Sequence, residues 1–319
     1  MALLYYDPIF LEHNTGDHPE RPQRLISIIH KLDGENLLTT CRRPGWERVS
    51  TARLARVHTP EYCASLEKYC AGGGGQIESD TVCCSKSHEA AVQATSAVCD
   101  AVERVVKGED SRALCLVRPP GHHALQGAPM GFCLFNNVAV GARLATKELG
   151  LDRVLVIDWD VHHGNGTQAT FYDDSQVGFF SIHRWPFYPG TGAADETGTG
   201  PGLGRTLNVP VEFGTSRSAY HSAFRSGLER LAAKVRPQLI LISAGFDAHR
   251  DDPVGSLQLE VEDFGLLTDA VLEVAAVHCD GRVVSVLEGG YNPPVLAESV
   301  ALHLRRLQEF RPPSHRPPA

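Results

Sequence analysis

Four short runs constrain the fold more than any other feature of the chain: 113-ALCLV-117, 154-VLVI-157, 239-LILIS-243 and 283-VVSVLE-288. Each is almost continuously apolar, with Val or Ile in every run, rather than alternating, which is the pattern of a strand covered on both faces. Helical patterns separate them. In 87-SHEAAVQATSAVCDAVERVVKG-108, Ala91, Ala94, Val98, Ala101, Val102 and Val105 share one stripe between a Ser/His entry and a Gly exit. Residues 137–150, 216–235 and 262–278 read the same way. Buried strands alternating with helices predict an α/β fold with a central, mainly parallel, doubly wound sheet flanked by helices.

No internal repeat and no Pro/Ser linker divides the chain. One domain is therefore expected over residues 1–310, followed by a Pro-rich tail, 311-RPPSHRPPA-319, expected to be disordered. The Gly-rich pieces 72-GGGG-75 and 198-GTGPGLG-204 read as loops. Neither follows a strand and opens a helix, so neither reads as a phosphate-binding fingerprint.

The rest of the composition excludes several classes. With 42% apolar and 21% charged residues, the 319-residue chain fits a soluble globular protein with a large core. A net charge of −8 without a Lys/Arg cluster argues against a grip on nucleic acid. No apolar run approaches the roughly 18 residues needed to span a bilayer, so no membrane association is expected. The start, MALLYYDPIF, lacks a basic region and a sustained apolar stretch, which predicts a cytoplasmic protein. The 9 cysteines are odd in number and form no CxxC pair, which reads as reduced, mostly buried thiols.

In an open parallel sheet, ligands bind at the carboxyl ends of the strands. Here each of the four runs ends in chemically loaded residues: RPPGHHA (118–124), DWDVHHGNG (158–166), AGFDAH (244–249) and GGYN (289–292). If extended geometry persists beyond the second run, Asp158, Asp160 and His162 share one face. Asp160 and His162 then offer an oxygen and a nitrogen to a dication, and Asp247 is the candidate third ligand. Three protein ligands plus a water is the open arrangement of a catalytic zinc. Taken alone, Asp-x-Asp-x-His-His fits loop histidines and capping aspartates equally well; convergence of four segments on one edge is what favours the metal. Two carboxylates would largely neutralise the dication, so a separate base is needed, and the His122–His123 pair supplies candidates. Tyr291, after two glycines, can donate a hydrogen bond to a developing oxyanion.

These segments resemble a known family. RPPGHHA, MGFCLFNNVA (130–139), DWDVHHGNGTQ (158–168), YPGTG (188–192), SAGFDAH (243–249) and EGGYN (288–292) are similar to the motifs of the zinc-dependent histone deacetylases, nearest the class II and bacterial amidohydrolase branch. The likeness begins at DPIFLEHNTGDHPERPQRL (7–25). It implies the arginase/deacetylase fold and hydrolysis of an acyl amide on a lysine or polyamine nitrogen. By position, it implies Asp160, His162 and Asp247 as zinc ligands, His123 as general base and later acid, His122 as its electrostatic neighbour and Tyr291 as oxyanion donor. Asp158 would orient His122 and bind a structural potassium ion with Ser181 and the main chain of Asp160, His162 and Ile182. A second potassium site would lie nearer Phe171. Phe132 and Tyr188, with Gly131 beside them, would form the walls of an acyl-lysine tunnel.

Departures from the family carry information as well. Asn165 stands where class I members have an aspartate behind the second tandem histidine, which leaves His123 less basic. Tyr291 replaces the histidine of weakly active members, so activity is expected. Gly164 and Gly245 stand where the two-manganese arginases need aspartates, which predicts a single metal. Val254 occupies the position where polyamine-selective relatives carry an acidic gatekeeper. The expected activity is therefore deacylation of N-acyl-lysine in peptides or proteins. Acetylpolyamine deacetylation and non-catalytic acyl-lysine binding are the alternatives. Acyl length, set at a tunnel floor near Cys133, and oligomeric state stay open.

Overall fold

The structure, a computed structural model, describes residues 2–311. All of the expected tail except Arg311 lies outside the described residues. Among them are nine strands: β1 (Leu3–Tyr5), β2 (Gly74–Glu78), β3 (Thr81–Cys84), β4 (Arg112–Cys115), β5 (Val154–Asp158), β6 (Val177–Arg184), β7 (Thr206–Val211), β8 (Leu239–Ala244) and β9 (Val283–Leu287). Seven form one parallel sheet in the order β1-β4-β9-β8-β5-β6-β7, and β2 and β3 form a separate antiparallel hairpin.

The four apolar runs are β4, β5, β8 and β9, and they occupy four adjacent places in the sheet. All of their residues are buried, as the uninterrupted apolar pattern requires. The helices Ser87–Val106 and Asn137–Lys147 pack together over β4, β5, β8 and β9. The helices Gln23–Gly34, Val261–His278 and Pro293–Glu309 form a second packed set, and Arg217–Val235 packs against both Val261–His278 and β5–β7. One continuous apolar core runs through these layers. Among the described residues, no helix is long and apolar enough to cross a membrane.

Three features differ from the sequence reading. Strands β6 and β7 extend the sheet although their runs, VGFFSIHR and TLNVPV, mix polar residues with apolar ones. Pro210 in β7 is tolerated because β7 lies at an edge. Gly74 and Gly75 belong to β2 rather than to a loop, because a Cβ at Gly74 would fall 2.5 Å from the Cys83 carbonyl oxygen and only glycine permits so close a pairing. Finally, β5 stops at Asp158, so extended geometry does not carry through to His162. The chain instead turns: the Asp160 amide donates to Asp158 Oδ1 (3.1 Å) and the His162 amide to Asp160 Oδ1 (2.9 Å). Those two side-chain-to-backbone bonds compete with the ladder and end it.

Candidate active site

The carboxyl ends of β4, β5, β8 and β9 meet around a cavity of about 220 Å³. Its wall includes Gly131, Phe132, Phe187, Tyr188 and Val254, and His123, His162 and Tyr291 line it as well. Larger hollows exist elsewhere, such as a groove of about 410 Å³ beside Val49, Leu54 and Pro60. The smaller cavity is the one that opens onto the loaded strand ends, with His123, His162 and Tyr291 on its wall.

Asp160, His162 and Asp247 each present one ligand atom, and the three atoms lie within 4.8 Å of one another. All three residues are buried. Asp160 Oδ2 accepts the Gly289 amide (2.8 Å), and Asp247 Oδ1 accepts the Val161 amide (2.9 Å). Asp247 Oδ2 lies 3.2 Å from His162 Nδ1 without a hydrogen bond, so a buried carboxylate oxygen has no partner. Burial, followed by the neighbouring Asp160 charge, pushes Asp247 up to about 7. Burial alone would lower His162, but Asp160 and Asp247 raise it to about 9. Two buried carboxylates thus draw a proton onto the imidazole between them. An O,N,O set with an orphaned oxygen and an excess of negative charge fits a divalent cation, which would displace that proton.

Beside this trio, the tandem histidines have opposite surroundings. His122 Nδ1 meets Asp158 Oδ2 at 3.0 Å. Burial disfavours its charge, yet Asp158 and Asp160 outweigh that and raise it to about 10. For His123, burial and the charges of His122 and His162 all act downward, and it is held well below the ordinary imidazole value. The loop bearing both is fixed by Glu288, whose carboxylate accepts the amides of Gly121 (2.6 Å) and His122 (3.2 Å) and the Ser243 hydroxyl (3.0 Å). A buried pair whose environments split their proton affinities is the arrangement that separates an acid from a base.

Tyr291 is 9% exposed, and burial raises its phenol well above the ordinary value, so it stays a hydrogen-bond donor. The Arg24 guanidinium lies 4.9 Å from the Tyr291 ring centroid and donates to the Gly290 carbonyl at 2.6 Å. Phe132 meets Tyr291 edge to face at 5.6 Å, and Tyr188 meets His123 the same way at 5.3 Å. Phe132 adopts a left-handed φ of 69°, a costly conformation for a bulky residue. It is held by Thr81 Oγ1, which accepts its amide, while Asp80 Oδ1 accepts the Gly131 amide, both at 3.1 Å.

The remaining expected residues fall as follows. Asp158 and Ser181 are register partners on β5 and β6, with Ile182 the next residue of β6. Asn165 Oδ1 meets His123 Nδ1. A Cβ at Gly164 or Gly245 would sit 2.1 Å from the carboxylate of Asp158 or Asp160, so neither position has room for the extra aspartates of a two-metal site. Cys133 is buried beside Gly131. Sequence reasoning missed Phe187, which stacks on His162 at 5.2 Å, and gave no role to Asp80, Arg24, Glu288 or Asp252. Arg24 and Glu288 stood inside recognised motifs; nothing local marked the other three.

A family model described as "Histone deacetylase domain" matches residues 18–307. Histone deacetylase 10, chloroplastic, of Oryza sativa subsp. japonica is 38% identical over 94% of this chain and 71% of its own length. Polyamine deacetylase HDAC10 of Homo sapiens is 39% identical over 96% of this chain, which spans 48% of that protein. A solved structure of the HDA15 HD domain superposes with a TM-score of 0.92 at 34% identity, covering 97% of this chain and 91% of that one. A parallel seven-stranded sheet carrying these motifs at its central strand ends is the arginase/deacetylase fold, and with the match running over nearly its whole length the chain belongs to the histone deacetylase family.

Proposed function

We propose that this deacetylase is zinc-dependent and hydrolyses the acyl amide of N-acyl-lysine in peptides or proteins. The observation that carries the reading is the convergence of Asp160, His162 and Asp247 beside an aromatic-walled cavity that His162, His123 and Tyr291 line. A zinc ion held by those three residues would supply Lewis acidity to the acyl carbonyl and to water. Phe132 and Tyr188 flank an uncharged alkyl chain, and their apolar faces exclude solvent around it. With Asn165 on Nδ1, His123 presents the free lone pair of Nε2 and takes the proton of the attacking water. The Tyr291 hydroxyl donates to the oxyanion that forms on the acyl carbon. His123 then returns the proton to the departing lysine amine, while His122, paired with Asp158, keeps a positive charge beside the negative transition state.

Potassium belongs to the same proposal, with Asp158, Ser181 and the carbonyls of Asp160, His162 and Ile182 as its ligands. A cytoplasmic setting is likewise proposed from the sequence. A second reading, acetylpolyamine deacetylation, is favoured by the name of the human relative. The apolar Val254 on the cavity wall opposes it, since that position offers a second cationic amine no carboxylate, and the acid that lines the cavity, Asp80, is engaged by the Gly131 amide and the Thr81 hydroxyl. The deciding experiment compares turnover of an acetyl-lysine peptide with that of acetylspermidine by zinc-loaded protein. Preference for the peptide is expected, and preference for the polyamine would overturn the ranking. Inertness toward both, with zinc bound, would return the chain to a binding role.

A further inference from the structure

Asp252 touches neither the cavity nor the trio around Asp160, yet it is buried and its two carboxylate oxygens do different work. Oδ2 accepts the main-chain amide of Tyr291 at 2.6 Å. Oδ1 accepts the amides of Val254 (2.9 Å) and Gly255 (3.0 Å). One side chain therefore ties the loop after β9, which carries Tyr291, to the turn that presents Val254 to the cavity. A neighbouring tie runs in parallel, from Asn292 Nδ2 to the Asp251 carbonyl at 2.9 Å. Arg24 also holds this segment, donating to the Gly290 carbonyl and lying over the Tyr291 ring.

We propose that Asp252 is a positioning residue that fixes the Tyr291 hydroxyl for catalysis and couples it mechanically to the substrate-facing turn at Val254. The physical reason lies in the stretch Gly289–Gly290, which gives Tyr291 little intrinsic rigidity: Gly290 sits at a φ of 119°, open to glycine alone. Something outside the strand must set where the tyrosine points. A charge-assisted bond to its own amide does so at the root of the side chain, where a small rotation sweeps the hydroxyl through a larger arc. Because an oxyanion donor acts chiefly in the transition state, misplacing it should lower kcat and leave KM nearly unchanged.

The inference rests on Tyr291 having the role proposed above, and the test separates the two. Asp252→Ala and the nearly isosteric Asp252→Asn are made in the full chain, alone and combined with Tyr291→Phe. Turnover of an acetyl-lysine peptide is measured, together with amide hydrogen exchange of residues 288–292 in the substrate-free protein. Asp252→Asn and Asp252→Ala are expected to lower kcat by roughly 10- to 100-fold, the scale of a 1 Å misplacement, with KM changed by less than about threefold. Exchange at 288–292 should quicken in both. The double variants should turn over no more slowly than Tyr291→Phe alone, because a positioner has nothing left to position. Losses that multiply in the double variants, a rise in KM at constant kcat, or unchanged exchange would each overturn the proposal. If Tyr291→Phe itself turned over like wild type, the assigned role of Tyr291 would fail instead, and the exchange result would still decide whether Asp252 holds that segment.

Discussion

His123 Nδ1 meets the amide oxygen of Asn165 at 2.7 Å, while Asn165 Nδ2 points at Met130 Sδ, 3.3 Å away. The amide orientation makes Nδ1 the protonated nitrogen of a neutral ring and leaves Nε2 as the basic one. The Asp160 charge and the hydrogen bond with the neutral Asn165 favour the imidazolium, but burial and the His122 and His162 charges outweigh them and hold His123 low. Asn165→Asp adds a carboxylate at hydrogen-bond distance and favours the imidazolium. The acidic limb of kcat/KM against pH should then move to higher pH by about 1–2 units, since more of the base is already protonated at a given pH. A pH–rate profile with an unmoved acidic limb would remove Asn165 from the control of His123.

Burial, followed by repulsion from Asp160, raises Asp247 to about 7. Asp247→Asn removes that repulsion at nearly constant shape. The metal-free variant should melt at a higher temperature than metal-free wild type. Zinc reverses the order: at about 1,000 times its Kd it stabilises wild type by roughly 4 kcal/mol, and the variant by much less. Thermal melts with and without a chelator check both halves, alongside zinc content after dialysis. Equal zinc-induced shifts in the two proteins would place the metal elsewhere.

Val254 faces the cavity while its main chain is fixed by Asp252, so its side chain can be exchanged without disturbing the turn. Val254→Glu places a carboxylate where a second ammonium of a polyamine would lie. The ratio of acetylspermidine to acetyl-lysine turnover should rise up to about tenfold, equivalent to about 1.4 kcal/mol. High salt should shrink the gain, because Val254 is half-buried and a charge there is partly screened.

Much of this arrangement was legible in the sequence because buried parallel strands advertise themselves. The runs at 113, 154, 239 and 283 carry their own ends, and those ends proved to be neighbours in the sheet. What sequence could not show was the supporting layer. Asp252 reads as one more acidic residue in a polar loop, and only the folded chain brings it 2.6 Å from an amide 39 positions away. Asp80 and Thr81 brace Gly131 and Phe132 across 51 positions in the same manner. The geometry of Asp160 and His162 was expected from strand alternation but comes from side-chain bonds that end the strand. Convergence was thus readable where buried strands delivered their own ends to one edge, and hidden where a side chain reached across the fold.

His58 offers a test that does not involve the metal. Its Nδ1 meets the Leu125 carbonyl and its Nε2 meets the Asn136 amide, both at 2.9 Å, so one ring nitrogen donates, the other accepts, and the ring is neutral. Asn136 in turn caps the helix Asn137–Lys147 by accepting the Ala139 amide. Burial is the main cause that lowers His58 to about 4, against 6.5 for a solvated imidazole. A folded value below the unfolded one means that the unfolded chain takes up the proton first. The contribution is therefore complete above about pH 6.5 and is lost as pH falls toward 4, reaching roughly 3 kcal/mol. Urea unfolding of metal-free protein at pH 7, 6 and 5 should show His58→Gln less stable than wild type at pH 7, with the gap narrowing as the pH drops. A gap constant across that range would mean that protonation of His58 does not contribute to acid unfolding.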